Sequence, residues 1–204
     1  RGVRLIQVPT SLLAQVDSSV GGKTGVDLPE GKNLVGAFYQ PEAVFIDPDT
    51  LQTLPPEQYL NGVAEVIKYG VIRERAFFDF LDKHRQHILD QELDAVIQMI
   101  HTSCRIKAEV VAADEREADM RRILNYGHTI GHAIEAASDF QILHGMAVAV
   151  GMVAAARIAV ARQLISKETA QIIVDLIEDY GLPVQIPPEL DRGRIAAYLL
   201  TDKK

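Results

Sequence analysis

Pro55-Pro56-Glu57-Gln58-Tyr59-Leu60-Asn61-Gly62-Val63-Ala64-Glu65-Val66-Ile67-Lys68 decides the fold, because the pattern of the chain changes there. Before it, short apolar runs, Leu5 to Val8 and Ala43 to Ile46, stand among Gly, Pro, Asp and Thr, and Asp47-Pro48 closes the second run; this reads as strand and loop. After it, apolar residues return every three or four positions over long stretches without internal proline, which is the repeat of a helix with one buried face. Helices are expected roughly at Glu57 to Val71, Ala76 to Leu89, Leu93 to Ala113, Met120 to Ala137, His144 to Leu164, Thr169 to Tyr180 and Arg192 to Leu200. Gly181-Leu182-Pro183 supplies a helix stop, with glycine just past the last periodic residue and proline soon after. The expected class is mainly α: a helical unit over residues 55–204, preceded by a β and loop unit over residues 1–54.

Composition narrows the partners. With 204 residues and 48% hydrophobic content the chain is long enough to bury a substantial core. A formal net charge of −7 weighs against a phosphate-backbone footprint, so nucleic acid is not an expected partner. The single cysteine, Cys104, permits no intrachain disulfide and suits a reducing, cytoplasmic setting. Met146 to Ala161 is the most apolar run, but Arg157 interrupts it and it is short for a bilayer span, so a buried helix is expected and no membrane partner. The chain opens at Arg1 straight into a strand-like run with no strand before it, and a strand needs neighbours; further chain upstream is expected.

Three constellations carry chemistry. Asn125-Tyr126-Gly127-His128-Thr129-Ile130-Gly131-His132 places two histidines four apart, one above the other on a helix face. That spacing suits a metal, or one imidazole binding while its neighbour handles protons; it also fits two polar helix positions. After a turn expected at Ser138-Asp139-Phe140, His144 begins the next helix and can return against His128. Glu65 sits among Val63, Ala64, Val66 and Ile67, where an unpaired carboxylate is costly, although it also fits a polar stripe with Asn61 and Lys68. Two histidines and a carboxylate leave a coordination position open, as in a catalytic zinc site. The second constellation, Asp17-Ser18-Ser19-Val20-Gly21-Gly22-Lys23-Thr24-Gly25, reads as an anion cradle or as a plain flexible turn, and lacks the glycine spacing of a P-loop. The third gathers Lys107, Glu117, Arg121 and Asn125, the last two expected on one helix face. With Lys23 these cations suit a small, multiply anionic substrate; the alternative is solvated surface charge.

The run Pro9 to Gly25 resembles the signature loop of 3-dehydroquinate synthases, and Leu124 to Glu135 is similar to that family too. So are Gly62 to Lys68, Lys107-Ala108-Glu109-Val110-Val111 and Leu143-His144-Gly145, in family order over nearly the whole chain. Met146 stands where a glutamate is expected, and Ser11 where threonine is commoner. The resemblance implies that residues 1–54 are the end of an NAD-binding α/β domain and residues 55–204 a metal- and substrate-binding helical domain. It implies zinc, or cobalt in its place, on Glu65, His128 and His144. Substrate contacts are implied at Arg1, Asp17, Lys23, Asn33, Lys68, Arg121 and Asn125, and catalytic groups at Lys107, Glu117 and His132. NAD contacts are implied at Thr10, Ser11, Lys32, Thr50, Leu51, Gln52, Thr53 and Asn61, and a late lysine at Lys203 or Lys204. The implied reaction is that of a lyase: cyclisation of a seven-carbon keto-acid phosphate to 3-dehydroquinate with loss of phosphate, NAD being used and regenerated, in a cytoplasmic homodimer. The expected nucleotide-binding glycine turn and the final segment are missing from these residues, so the chain is expected to be a fragment. Related cyclases making a deoxyinosose or valiolone precursor, and a metal-dependent NAD polyol dehydrogenase, are the alternatives.

Overall fold

The computed structural model describes residues 2–28, 31–114 and 120–201. Strand β1 (Ile6–Gln7) opens the chain, and β2 (Lys23–Leu28) and β3 (Gly31–Phe38) form an antiparallel hairpin with an irregular register between Val26 and Leu28. Strand β4 (Ala43–Val44) pairs in parallel with β1, Ile6 against Ala43 and Gln7 against Val44. The opening strand therefore finds a partner downstream. Between β1 and β2 the chain makes a five-residue π-helix, Ala14–Ser18, and after β4 a 3-10 helix, Pro48–Thr53, which Asp47 caps by accepting the Asp49 N–H. The π-helix escapes a periodicity reading, because it is short and is fixed by contacts far along the chain, Tyr69 and Lys107 both reaching Asp17.

Eight α-helices follow among the described residues: α1 (Pro56–Ile72), α2 (Arg75–Lys83), α3 (Arg85–Leu89), α4 (Leu93–Ala113), α5 (His128–Ala137), α6 (His144–Ala161), α7 (Lys167–Asp179) and α8 (Arg192–Thr201). Helix α1 is the axis of the core. Val63, Ala64, Val66, Ile67 and Tyr69 are all fully buried, packed among residues of α2, α4, α6 and α7. A smaller apolar cluster, with Ala133, Ile134, Ala147, Val150 and Ile195, joins α5, α6 and α8. Helix α6 is apolar and long enough to cross a membrane by composition, but half of that stretch is buried inside the protein.

Two expected helices are broken. The stretch expected as one helix from Ala76 to Leu89 divides at His84, whose φ of −103° and ψ of 16° leave the helical region. Tertiary hydrogen bonds hold the break: the Tyr180 hydroxyl donates to the Leu81 carbonyl (2.7 Å) and the Tyr59 hydroxyl to the Ile88 carbonyl (2.8 Å). The stretch expected from Met120 to Ala137 is a 3-10 helix over Met120–Asn125, then Gly127 in the left-handed region (φ 79°), then α5. Arg121 and Asn125 consequently do not share an α-helical face as expected, since 3-10 geometry turns every three residues. A Cβ on Gly127 would lie 2.8 Å from the Met152 nitrogen and 2.9 Å from the Val148 oxygen, so the break lets α5 start hard against α6.

Candidate metal centre

Three elements deliver one cluster. Helix α1 supplies Glu65, the first turn of α5 supplies His128, and the first residue of α6 is His144. Glu65 Oε1 lies 3.5 Å from His128 Nε2 and 3.4 Å from His144 Nε2, too long for good hydrogen bonds, and this fully buried oxygen has no hydrogen-bond partner among the described residues. Ligands about 2.0–2.1 Å from a tetrahedral zinc stand about 3.3–3.4 Å from one another, which these two separations match, and the three ligand atoms all lie within 4.8 Å of one another. A buried carboxylate oxygen aimed at two imidazole nitrogens fits a divalent cation. His132, one turn along α5, stacks edge-on against His128 with ring centroids 5.3 Å apart and lies 5.8 Å from the ring of His144.

Orientation is fixed from outside the cluster. His128 Nδ1 is 3.1 Å from the Tyr126 carbonyl, which can only accept, so the proton resides on Nδ1 and the Nε2 lone pair faces inward. His144 Nδ1 is 3.1 Å from Glu135 Oε2. The start of α6 is clamped to α1, one turn before Glu65: the Gly145 N–H donates to Asn61 Oδ1 (2.5 Å), and Asn61 Nδ2 donates to Gln58 Oε1 (3.2 Å). Both polar ends of Asn61 are thus engaged within the protein.

Charge around the cluster follows from burial. Glu65 is opposed by desolvation, which the Lys68 ammonium, His128 and His144 outweigh, so its carboxyl stays well below the usual carboxylate range. Lys68, 1% exposed, donates directly to Glu65 Oε2. Burial, with Lys68 nearby, lowers His128 in spite of Glu65. Burial also opposes charge on His144, but Glu135 and Glu65 prevail and raise it to about 9. His144 differs from His128 in having Glu135 beside it and in a closer engagement with Glu65.

A second ion pair, with Lys107 buried and Asp17 half-buried, stands alongside. Lys107 Nζ donates to Asp17 Oδ1 (2.8 Å) and to the Asp17 carbonyl (2.6 Å), while the Tyr69 hydroxyl donates to the same Oδ1 (2.7 Å). Burial lowers Lys107 in spite of Asp17, and Lys107 and Lys68 hold Asp17 down against its own desolvation. The glycine-rich run turns over this pair: Arg121 Nη2 donates to the Gly21 carbonyl (3.1 Å), and Lys107 Cε lies 3.7 Å from where a Gly21 Cβ would be. Asp17 and Gly21 of the second constellation thus meet Lys107 and Arg121 of the third, and Tyr69, one turn after Glu65 on α1, bonds to the same Asp17.

Other expected residues are placed more loosely. Lys23 is exposed at the start of β2, Lys32 and Asn33 fall on β3, and Asn125 ends the 3-10 helix. Thr10 is exposed, and Ser11 Oγ accepts from the Ala14 N–H (3.3 Å). Thr50 Oγ1 accepts from Gln15 Nε2 (3.1 Å), Gln52 and Thr53 are exposed, and Leu51 is buried. Arg1, Glu117, Lys203 and Lys204 lie outside the described residues. Sequence reasoning passed over Tyr69, Gln15 and Glu135. For Glu135 a signal existed, since it stands seven residues after His128 and so on the same helix face.

Solved structures similar in fold to this chain include sugar-phosphate cyclases. A 2-epi-5-epi-valiolone synthase from Streptomyces hygroscopicus subsp. jinggangensis, with NAD+ and Zn2+ bound, matches 98% of this chain and 56% of its own at a TM-score of 0.89 and 27% identity. A 2-deoxy-scyllo-inosose synthase complexed with carbaglucose-6-phosphate, NAD+ and Co2+ matches 98% of this chain and 55% of its own at a TM-score of 0.84 and 35% identity. The 3-dehydroquinate synthase N-terminal family matches residues 1–61 and the 3-dehydroquinate synthase C-terminal family residues 62–204. The 3-dehydroquinate synthase of Pelobacter propionicus is 53% identical over the whole chain. The chain belongs to the 3-dehydroquinate synthase family, and it spans about 57% of the length of that relative.

Proposed function

We propose that this chain is the cation- and substrate-binding portion of a zinc- and NAD-dependent 3-dehydroquinate synthase, a lyase that cyclises a seven-carbon keto-acid phosphate with release of phosphate. The observation that carries the reading is the convergence of Glu65 Oε1 with the Nε2 atoms of His128 and His144 at 3.5 and 3.4 Å. Identity of 53% to a 3-dehydroquinate synthase, against 35% to the deoxyinosose cyclase, favours the keto-acid substrate over the other sugar phosphates. Two buried lysines and a buried arginine are more cation than a neutral polyol requires, which weighs against the dehydrogenase alternative.

In this reading Glu65, His128 and His144 hold the cation. When bound, the cation supplies Lewis acidity at a substrate hydroxyl and NAD the hydride acceptor. Lys68 keeps Glu65 ionised. Lys107 and Arg121, set against the Gly21 turn, offset the charge of a departing phosphate, with Lys23 at its rim. His132, beside both histidines, moves a proton; Glu117 takes a second proton-handling role. Arg1, Asp17, Asn33 and Asn125 complete the substrate contacts. Thr10, Ser11, Lys32, Asn61 and the segment from Thr50 to Thr53 contact NAD, residues 1–54 being the end of the NAD-binding domain and residues 55–204 the helical one. The assembly is a cytoplasmic homodimer.

The test pairs elemental analysis with a turnover assay on the chain extended at both ends to the length of its relatives. Near-stoichiometric zinc and dehydroquinate formation without free NADH are expected; accumulation of NADH would revive the dehydrogenase. In that extended protein His132→Ala is expected to slow turnover about 100-fold or more, with zinc content near normal. Loss of zinc instead would place His132 among the ligands.

Proton release gives a further expected result. Below about 9 the His144 ring of the metal-free protein is charged, and a cation on Nε2 must displace a proton. Zinc affinity measured by chelator competition should therefore rise with pH by up to about tenfold per unit, and level off above that value. An affinity independent of pH from 6.5 to 8.5 would show that His144 is not protonated before binding.

A further inference from the structure

Glu135 is a buried carboxylate that the reading above leaves without a role. It is 2% exposed on α5, and burying a charge costs several kcal/mol unless it is paired. Its Oε2 faces His144 Nδ1 at 3.1 Å, while the opposite nitrogen of that ring faces Glu65 Oε1 at 3.4 Å. An imidazole that binds a cation through one nitrogen presents a lone pair there, and keeps its proton on the other.

We propose that Glu135 is a positioning residue for the cation site: its carboxylate accepts from His144 Nδ1–H, which fixes the tautomer and rotation of the ring so that the Nε2 lone pair points at the site beside Glu65. The inference rests on Glu65, His128 and His144 being the cation ligands. The contrast with His128 supports it. That ring is held by a backbone carbonyl supplied by the turn before α5, two residues away, and needs no side chain. His144 opens α6 after an extended Leu143, and the acceptor for its Nδ1 comes from across the helix pair.

The experiment measures the zinc dissociation constant by chelator competition, and the melting temperature of the metal-free protein, for Glu135→Met, Glu135→Gln, Glu65→Gln and His132→Ala. Glu135→Met, which cannot accept the proton, is expected to weaken zinc about 10- to 100-fold. Glu135→Gln retains an accepting oxygen without the charge, and should recover most of that loss while remaining severalfold weaker than the parent. Glu65→Gln should lose zinc and His132→Ala keep it. If Glu65→Gln loses zinc while both Glu135 variants bind like the parent and only melt lower, Glu135 is structural and the inference fails alone. If Glu65→Gln keeps zinc and His132→Ala loses it, the cation sits instead among His132, Glu135 and His144, whose ligand atoms also cluster, and the underlying reading fails with it. Should Glu135→Met not fold, Glu135→Gln decides: a severalfold loss supports the proposal and an unchanged constant overturns it.

Discussion

Gly145→Ala is expected to spread the candidate metal centre and to destabilise the fold by about 2–3 kcal/mol, although alanine is the better helix former by about 1 kcal/mol. A Cβ at position 145 would stand 2.1 Å from the Asn61 carbonyl oxygen and 2.8 Å from its carbonyl carbon, and no side-chain rotation relieves a clash with backbone. Helices α1 and α6 must part by more than an ångström to restore contact distance. The Gly145 N–H would then leave Asn61 Oδ1, stranding a buried acceptor at a cost of about 1–3 kcal/mol. Glu65 lies one turn further along α1 and His144 is the neighbour of Gly145, so the parting transmits almost undiminished to their 3.4 Å separation. Zinc affinity should fall at least tenfold, by chelator competition, along with a lower denaturant midpoint. Parent-like affinity and midpoint would show that this close approach does not set the ligand spacing.

How much of this was legible in sequence depends on how local the cause was. The long helices α1, α4 and α6 announce themselves, because their apolar repeat runs over four or more turns and no proline interrupts it. The breaks at His84 and Gly127 do not, since what fixes them is the tyrosine hydroxyl of a distant helix in one case and the approach of α6 in the other. The ligand set shows the same division. His128 and His132 were legible from a spacing of four, and Glu65 from the apolar company it keeps. The clamp of the Asn61 side chain on Gly145 was not legible, being a contact between residues 84 apart in sequence that no pattern encodes. The cationic groups were legible as residue types, but their arrangement was not: Lys107 meets Asp17 across 90 positions, and Arg121 meets Gly21 across 100.

Lys68→Met is expected to destabilise the metal-free protein by about 3–5 kcal/mol at neutral pH, the range for removing one partner of a buried pair. Lys68 is 1% exposed, bonded to Glu65 Oε2 and set over the Tyr69 ring at 4.9 Å, so methionine replaces its stem well and the loss is one of charge. The deficit must depend on pH with a definite sign. Glu65 is held well below its ordinary value of 4.5, so its ionised form adds stability above that value and loses it as pH falls through the depressed one. Without Lys68 the carboxyl climbs back, and the contribution at neutrality goes; once both proteins are protonated the difference closes. Denaturant unfolding at pH 7 and pH 4 should therefore show a smaller gap at the lower pH. Zinc should recover part of the gap at pH 7, because a divalent charge beside Glu65 Oε1 takes over the compensation and binding to the folded state adds stability by mass action. A deficit under about 1 kcal/mol at pH 7 would mean that His128 and His144 suffice to keep Glu65 ionised, and that Lys68 is available for the substrate instead.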